Sequence, residues 1–131
     1  MHEIIKNIWL MDKFEEPNIN SEQIQIIINI SPTTLNTHYD IEYYRIKDTL
    51  NSDNTPIDRG YDIACEFLHD KWHSGKKIGV HCNNGYQRSI PFLAYYLLEY
   101  HNISIDKSVT SMVKEYSNEY IINVKHILKI A

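Results

Sequence analysis

Short runs of apolar residues separated by polar segments divide the chain into predicted strands and helices. Four of the runs are short and rich in β-branched or aromatic residues, which is typical of strands. They cover residues 7–11, 25–30, 41–46 and 78–81. The second run is almost continuously apolar, so we expect it to lie in the interior of a sheet, where both faces of a strand are covered.

A first helix is predicted after residue 54 by several agreeing signals. Thr55 is a good N-cap, Pro56 fits the first helical position, and Asp58 follows the cap by three residues. Ser-Gly at residues 74–75 ends the pattern. Between these limits the apolar residues recur at helical spacing and define one buried stripe. The stripe consists of Ile57, Tyr61, Ala64, Cys65, Leu68 and Trp72.

Three further helices are predicted towards the end of the chain. Residues 89–100 are apolar nearly all round, so this helix should run through the interior, and Asn102 can terminate it. Residues 105–116 and 121–128 have apolar residues on one face only. These two helices should therefore cover the core from outside.

Strands mostly precede helices, and a strand–helix–strand crossover joins the third and fourth predicted strands. This order predicts an α/β fold with a small central sheet of four to five mostly parallel strands flanked by helices. A chain of 131 residues is long enough for one core. We therefore expect residues 1–131 to form a single domain.

Composition and charge narrow the class of protein. The net charge is −4 and the isoelectric point about 5.9, which disfavours nucleic acid as a partner. No stretch approaches the roughly 18 consecutive apolar residues of a membrane-spanning helix, and the N-terminus lacks a signal-peptide pattern. We expect a cytoplasmic protein in a reducing compartment, without a membrane partner. Abundant Ile, Asn, Lys and Tyr suggest an AT-rich coding genome, such as that of a large DNA virus or a parasite.

The segment from His81 to Ser89 combines a predicted strand, a tight loop and the start of a helix. Cys82 and Arg88 bracket five residues in this segment. Backbone N–H groups of such a loop converge on one point, and the helix N-terminus adds partial positive charge there. The segment therefore predicts a socket for a tetrahedral dianion such as phosphate. Its phosphate-binding positions are Asn83, Asn84, Gly85, Tyr86, Gln87 and Arg88.

Each side chain at the ends of this loop suits one part of a phosphoryl transfer. Such surroundings lower a cysteine pKa from about 8.5 to roughly 3.5–7.5, so Cys82 is expected to be a thiolate. The guanidinium of Arg88 can bind two phosphate oxygens at once. Ser89 can donate a hydrogen bond to the departing sulfur, and His81 can order the loop. The set favours phosphoryl transfer to sulfur followed by hydrolysis.

The leaving oxygen also needs a proton, and the loop itself offers no acid. Asp48 is the first candidate because it follows the third predicted strand and would reach the socket if that strand neighbours the fourth. Asp53 is the second candidate. Asp58 is the third, since its position in the first turn of a helix already explains it.

The motif His-Cys-x-x-Gly-x-x-Arg-Ser resembles the signature of cysteine-dependent protein tyrosine phosphatases, and the short chain resembles the compact, single-domain members of their dual-specificity branch. Residues 44–49, Tyr-Arg-Ile-Lys-Asp-Thr, resemble the family's acid loop. The resemblance implies that Cys82 is the nucleophile, Arg88 the phosphate clamp, Asp48 the general acid and Ser89 the leaving-group helper. It also implies phosphorylated proteins as substrates, with phosphoserine and phosphothreonine admitted beside phosphotyrosine.

Two alternatives stay open at the level of sequence. A phosphatase for RNA 5′-phosphates or phosphoinositides is expected to place extra cations around the socket, whereas residues 83–87 are neutral. The neutral loop therefore favours phosphorylated protein side chains as the substrate. A catalytically silent module that binds phosphoproteins is the other alternative, although no expected catalytic group is missing.

Two further features have plainer explanations. His69 and His73 have a spacing that can bind zinc, but no third ligand is evident, so we expect a solvated helix face. We expect neither a metal nor a cofactor. Cys65 lies on the apolar stripe and should belong to the core, while a redox partnership with Cys82 stays open.

Overall fold

The computed structural model describes residues 2–11, 23–30, 42–45, 60–82, 88–113 and 117–128, and all structural statements below refer to these residues. Five strands and four helices lie within them. In chain order they are β1 (His2–Ile5), β2 (Ile8–Leu10), β3 (Ile26–Ile30), β4 (Glu42–Arg45), α1 (Gly60–His73), β5 (Ile78–Cys82), α2 (Ser89–His101), α3 (Ile105–Met112) and α4 (Asn118–Ile127).

The five strands form one sheet in the order β1-β2-β5-β3-β4. The β1–β2 pair is antiparallel, and every other neighbouring pair is parallel. The predicted α/β fold with four to five mostly parallel strands flanked by helices is therefore confirmed. The second predicted strand, now β3, is an interior strand between β5 and β4, as its apolar sequence indicated.

Strand β1 was absent from the sequence-based prediction, which began the first strand at Asn7. In the structure Asn7 lies in the turn between β1 and β2 with a φ of 73°. Its backbone N–H donates a hydrogen bond to the Glu3 carboxylate at 2.9 Å. The ring of His2 adds a bond from Nε2 to the carbonyl of Ser111 at 2.8 Å, which ties β1 to α3.

The two faces of the sheet carry apolar clusters of unequal size. Alternate residues of the central strands, including Ile28 and Val80, join the main core with residues of all four helices. The intervening residues, including Trp9, Met11 and Ile27, form a smaller cluster on the other face. On that face Gly79 lies against Met11, whose sulfur would collide with any side chain at this position.

The helices follow the apolar patterns but differ from the prediction at some of their ends, and α4 begins at Asn118, three residues before the predicted start. Helix α1 buries Ala64, Cys65 and Leu68 as expected, while its predicted start at residues 55–58 lies outside the described residues. Helix α3 ends at Met112 because Val113 has an extended backbone, so the predicted continuation towards residue 116 is wrong at least at Val113. No helix in the described ranges is long and apolar enough to cross a membrane.

Candidate active site

Cys82 is the last residue of β5, a strand with parallel neighbours on both sides. Its backbone pairs with Ile30 of β3, and one residue pair earlier His81 lies opposite Asn29. On the other side of β5, Val80 lies opposite Leu10 of β2. Cys82 therefore stands at the carboxyl edge of an interior strand, where open parallel sheets usually bind their ligands.

Helix α2 begins at Ser89, directly after Arg88, which occupies the N-cap position. The Arg88 side chain makes no capping hydrogen bond, and the first turn of the helix contains no acidic residue. Neither a cap from Arg88 nor a first-turn carboxylate therefore offsets the positive end of the helix dipole. The end of the helix is thus suited to an anion, and Arg88 is half-buried beside it.

Two more of the predicted site residues have definite positions. His81 and Ser89 are both completely buried, one at the end of β5 and the other at the start of α2. His81 directly precedes Cys82, and Ser89 directly follows Arg88. The roles expected of these two side chains, ordering the loop and assisting the departing sulfur, stay predictions.

The remaining predicted site residues lie outside the described residues. They are the loop residues Asn83, Asn84, Gly85, Tyr86 and Gln87, and the candidate acids Asp48, Asp53 and Asp58. For Cys82 the description covers the backbone. The structure thus positions both ends of the phosphate loop, and the roles of its members stay predictions.

The strand order places β4, the strand before Asp48, farther from β5 than the sequence analysis assumed. This residue follows β4, and the sequence-based placement required β4 to neighbour β5. In the sheet β3 lies between these two strands. Both strands still end at the same edge because β4, β3 and β5 are parallel.

Asn29 is a residue near the site that the sequence analysis missed. It is completely buried on β3 and lies opposite His81 in the parallel register. Its signal in the sequence was a single polar residue inside the apolar strand Ile-Ile-Ile-Asn-Ile. A polar residue at an interior strand position needs hydrogen-bond partners, so it marks a place where the core is not purely apolar.

Cys65 has surroundings opposite to those expected for a reactive thiol. It is a free cysteine and completely buried on α1. Burial is the main factor that raises the pKa of the Cys65 thiol far above its usual value, with smaller contributions from the carboxylates of Asp62 and Glu99. The predicted core role is confirmed, and the protonated thiol is a poor nucleophile.

His69 belongs to an aromatic cluster between α1 and α2 and is half-buried, so the expected solvated face holds only for the exposed His73. The hydroxyl of the buried Tyr96 lies 3.1 Å from Nδ1 of His69 and 2.9 Å from Nε2 of His101. Within the described part of the chain, no three potential ligand side chains are grouped suitably for a metal ion. One ring nitrogen of His69 and one of His101 form hydrogen bonds with the Tyr96 hydroxyl.

An α/β sheet whose interior strand ends in cysteine, followed by a helix that starts after arginine, is the arrangement expected for a cysteine-dependent phosphatase. The model of the dual specificity phosphatase catalytic domain matches residues 9–131, and the chain belongs to this family.

Solved structures share the fold, and curated proteins are similar in sequence. The structure of human DUSP28 covers 98% of this chain and 96% of its own, with a TM-score of 0.77 and 13% identity. The human tyrosine phosphatase-like serine/threonine/tyrosine-interacting protein covers 96% and 93%, with a TM-score of 0.75 and 17% identity. Human dual specificity protein phosphatase 18 is 27% identical over 109 residues, which are 80% of this chain and 57% of that protein. The chain thus matches little more than half the length of this relative.

Proposed function

We propose that the protein is a phosphatase that hydrolyses phosphotyrosine, phosphoserine and phosphothreonine in proteins through a phosphocysteine intermediate. The observation that carries the proposal is the position of Cys82 and Arg88 at the two ends of one loop. Cys82 ends the interior strand β5, and Arg88 precedes α2. The family match spans both residues.

In the first step, the Cys82 thiolate attacks the phosphorus atom. An S–P bond forms while the P–O bond to the substrate side chain breaks. Arg88 and the backbone N–H groups of residues 83–87 bind the oxygens of the transferred group and stabilise the charge that spreads over them. Asp48, in its protonated form, gives its proton to the departing oxygen.

In the second step, water replaces the sulfur. Asp48, now a carboxylate, takes a proton from the water molecule as its oxygen attacks phosphorus. The S–P bond breaks, and the electron pair returns to sulfur. A hydrogen bond from the Ser89 hydroxyl stabilises the departing thiolate. The products are inorganic phosphate and the enzyme in its starting state.

Strand spacing allows Asp48 to reach the loop despite the intervening strand. Neighbouring strands lie about 4.8 Å apart, so β4 and β5 are separated by about 10 Å. Asp48 follows Arg45, the last residue of β4, by three residues. Three extended residues span about 10 Å. The segment after β4 is therefore long enough to cross over the end of β3.

The charge of the loop and of the whole chain supports the proposed substrate class. Residues 83–87 of the loop are neutral, and the net charge of −4 adds no general attraction for polyanions. Phosphorylated protein side chains therefore fit better than phosphoinositides or RNA 5′-phosphates. We place this activity in a single domain and in the cytoplasm, where Cys82 stays reduced.

Hydrolysis of p-nitrophenyl phosphate tests the proposal directly. The wild type should turn over this substrate, and Cys82→Ser should abolish turnover because the hydroxyl does not replace the thiolate. Cys65→Ala is the matched control and should keep the activity, since Cys65 is buried in the core. Hydrolysis that persists in Cys82→Ser would overturn the mechanism. Phosphopeptide binding without cysteine-dependent hydrolysis would favour the silent binding module.

The role of Asp48 has its own test. Asp48→Asn should lower kcat by about 100-fold or more on substrates with poor leaving groups, because general acid catalysis contributes at least that much. The effect should be smaller on p-nitrophenyl phosphate, whose leaving group needs little protonation. Asp53→Asn is the control variant. If Asp53→Asn shows the larger loss, Asp53 is the acid.

A substrate panel separates the candidate phosphate carriers. Phosphotyrosine and phosphothreonine peptides, a phosphoinositide and a 5′-triphosphorylated RNA are assayed side by side with the same enzyme. We expect the highest kcat/KM on the peptides. A higher value on the lipid or the RNA would replace the protein-phosphatase assignment with that substrate class.

A further inference from the structure

Buried polar side chains are concentrated around the ends of the phosphate loop. Four polar residues are completely buried within the described parts of the chain, namely Asn29, His81, Ser89 and Ser108. Three of them flank the loop, on β3, on β5 and at the start of α2. Only Ser108 lies elsewhere, on α3. His81 and Ser89 belong to the loop motif, whereas Asn29 is remote from it in sequence.

Asn29 and His81 are neighbours across the two interior strands. Their Cα atoms are partners in the parallel β3–β5 ladder, so their side chains project from the same face of the sheet. One step earlier on that face, the partners are Ile27 and Gly79. On this face of the sheet, the last residue pair before Cys82 is therefore polar, whereas the pair before it is not.

A buried amide beside a buried imidazole restricts the orientation of both groups. Both side chains are completely buried, so a polar group on either that lacks a well-oriented partner is unfavourable. The amide offers two donors and an acceptor, which can select one tautomer and one ring orientation of the imidazole. His81 is joined directly to Cys82, so its orientation affects where the loop backbone begins.

We propose that Asn29 is a positioning residue for the phosphate loop, acting through His81 to hold the backbone around Cys82 in its anion-binding arrangement. The inference rests on the proposed function for its catalytic consequence. Asn29 itself contacts neither substrate nor the reacting atoms. We expect a fixed backbone at Cys82, where the loop begins, to favour the thiolate and the binding of phosphate.

Replacement of Asn29 by Leu tests this role because Leu has a similar volume and no hydrogen-bonding group. Loss of the amide should lower kcat/KM on p-nitrophenyl phosphate by about 10- to 100-fold, as small misplacements of reacting groups do. The inhibition constant of inorganic phosphate should rise. The pH at which iodoacetate alkylates Cys82 at half its maximal rate should also shift upwards.

Ile27→Val is the matched control, because Ile27 lies on the same strand and face but pairs with Gly79. This variant should lose some thermal stability and keep the wild-type alkylation profile. Asn29→Ala, which also lacks the amide, is measured under the same criteria if Asn29→Leu does not fold. An unshifted alkylation profile in a folded Asn29 variant would overturn the proposal, whatever the value of its kcat/KM.

The alkylation profile separates this inference from the proposed function. It reports the ionisation of Cys82 whether or not the protein hydrolyses phosphate esters. A wild type without hydrolysis would end the phosphatase assignment. An upward shift of the profile in Asn29→Leu would still support the positioning role, and an unchanged profile would refute it.

Discussion

The two cysteines of the chain show how position decides the chemistry of a residue. Cys65 lies in the middle of α1 among core residues, and its burial raises the pKa of its thiol. Cys82 stands at the end of β5, six residues before Arg88, the N-cap of α2. Sequence periodicity was sufficient to assign Cys65 to the core, and the loop motif was sufficient to single out Cys82.

This contrast predicts selective alkylation. At neutral pH, iodoacetate should modify Cys82 in the folded protein and leave Cys65 unmodified, because the reagent needs an accessible thiolate. In denaturant both cysteines should react. Mass mapping of the peptides measures the two sites separately. Comparable modification of Cys65 in the folded protein would contradict the burial described here.

At the level of elements, the apolar pattern predicted most of the fold because burial controls these strands and helices. β1 was missed because only half of its four residues are partly buried, so its sequence lacks a strong pattern. Pairing with β2 and the turn at Asn7 stabilise it instead. The position of β3 between β4 and β5 was also missed, since strand order depends on pairing that periodicity does not encode.

The candidate site was predictable to the extent that its residues are contiguous. His81, Cys82, Arg88 and Ser89 lie in one motif, and a local pattern suffices to find them. Asn29 is more than fifty residues from His81 in sequence and becomes its neighbour only through the β3–β5 register. No local pattern reports such a contact.

The end of α2 provides a prediction about helix termination. Asn102 occupies the C-cap position with a φ of 53° and a ψ of 38°, in the left-handed region. Asn102→Ala should lower the free energy of unfolding by about 1 kcal/mol, because a Cβ without a polar group disfavours this conformation. Asn102→Gly is the matched variant and should be at least as stable as wild type. Urea unfolding measures both, and equal stability of the two variants would count against this assignment.

The histidine cluster between α1 and α2 predicts a pH dependence of stability. Burial, followed by the nearby His69, lowers the pKa of His101 below its usual value of 6.5. The unfolded chain therefore binds a proton at a higher pH than the folded protein does. Stability should be full above about pH 6.5 and should fall as the pH decreases from there, levelling off below the folded-state pKa.

His101→Gln should remove this part of the pH dependence while keeping a group able to hydrogen-bond with Tyr96. His126→Gln, an exposed replacement on α4, is the control. Urea unfolding between pH 7.5 and 5.5 measures the effect, above the range in which most carboxylates titrate. An identical slope in wild type and His101→Gln would show that another group is responsible.

For the whole molecule, the two tryptophans report on opposite faces of the sheet. Trp9 lies in the smaller cluster, and Trp72 packs against the main core, with its Nε1–H donating to the carbonyl of Lys6 at 2.9 Å. If the chain forms a single domain, both tryptophans should lose their folded environments in one unfolding transition. Trp9→Phe and Trp72→Phe each leave one fluorescent reporter. In each variant, the fluorescence and circular dichroism midpoints should coincide, and separate midpoints would indicate independent units.

The central place of β5 has a consequence for how the proposed activity would be lost. Amide protons of a strand paired on both sides exchange with solvent mainly when the whole domain opens. Local openings at edges such as β1 leave the strand that carries Cys82 in place. Catalytic competence and the global fold should therefore disappear together under denaturant, so that residual turnover serves as a direct measure of the folded population.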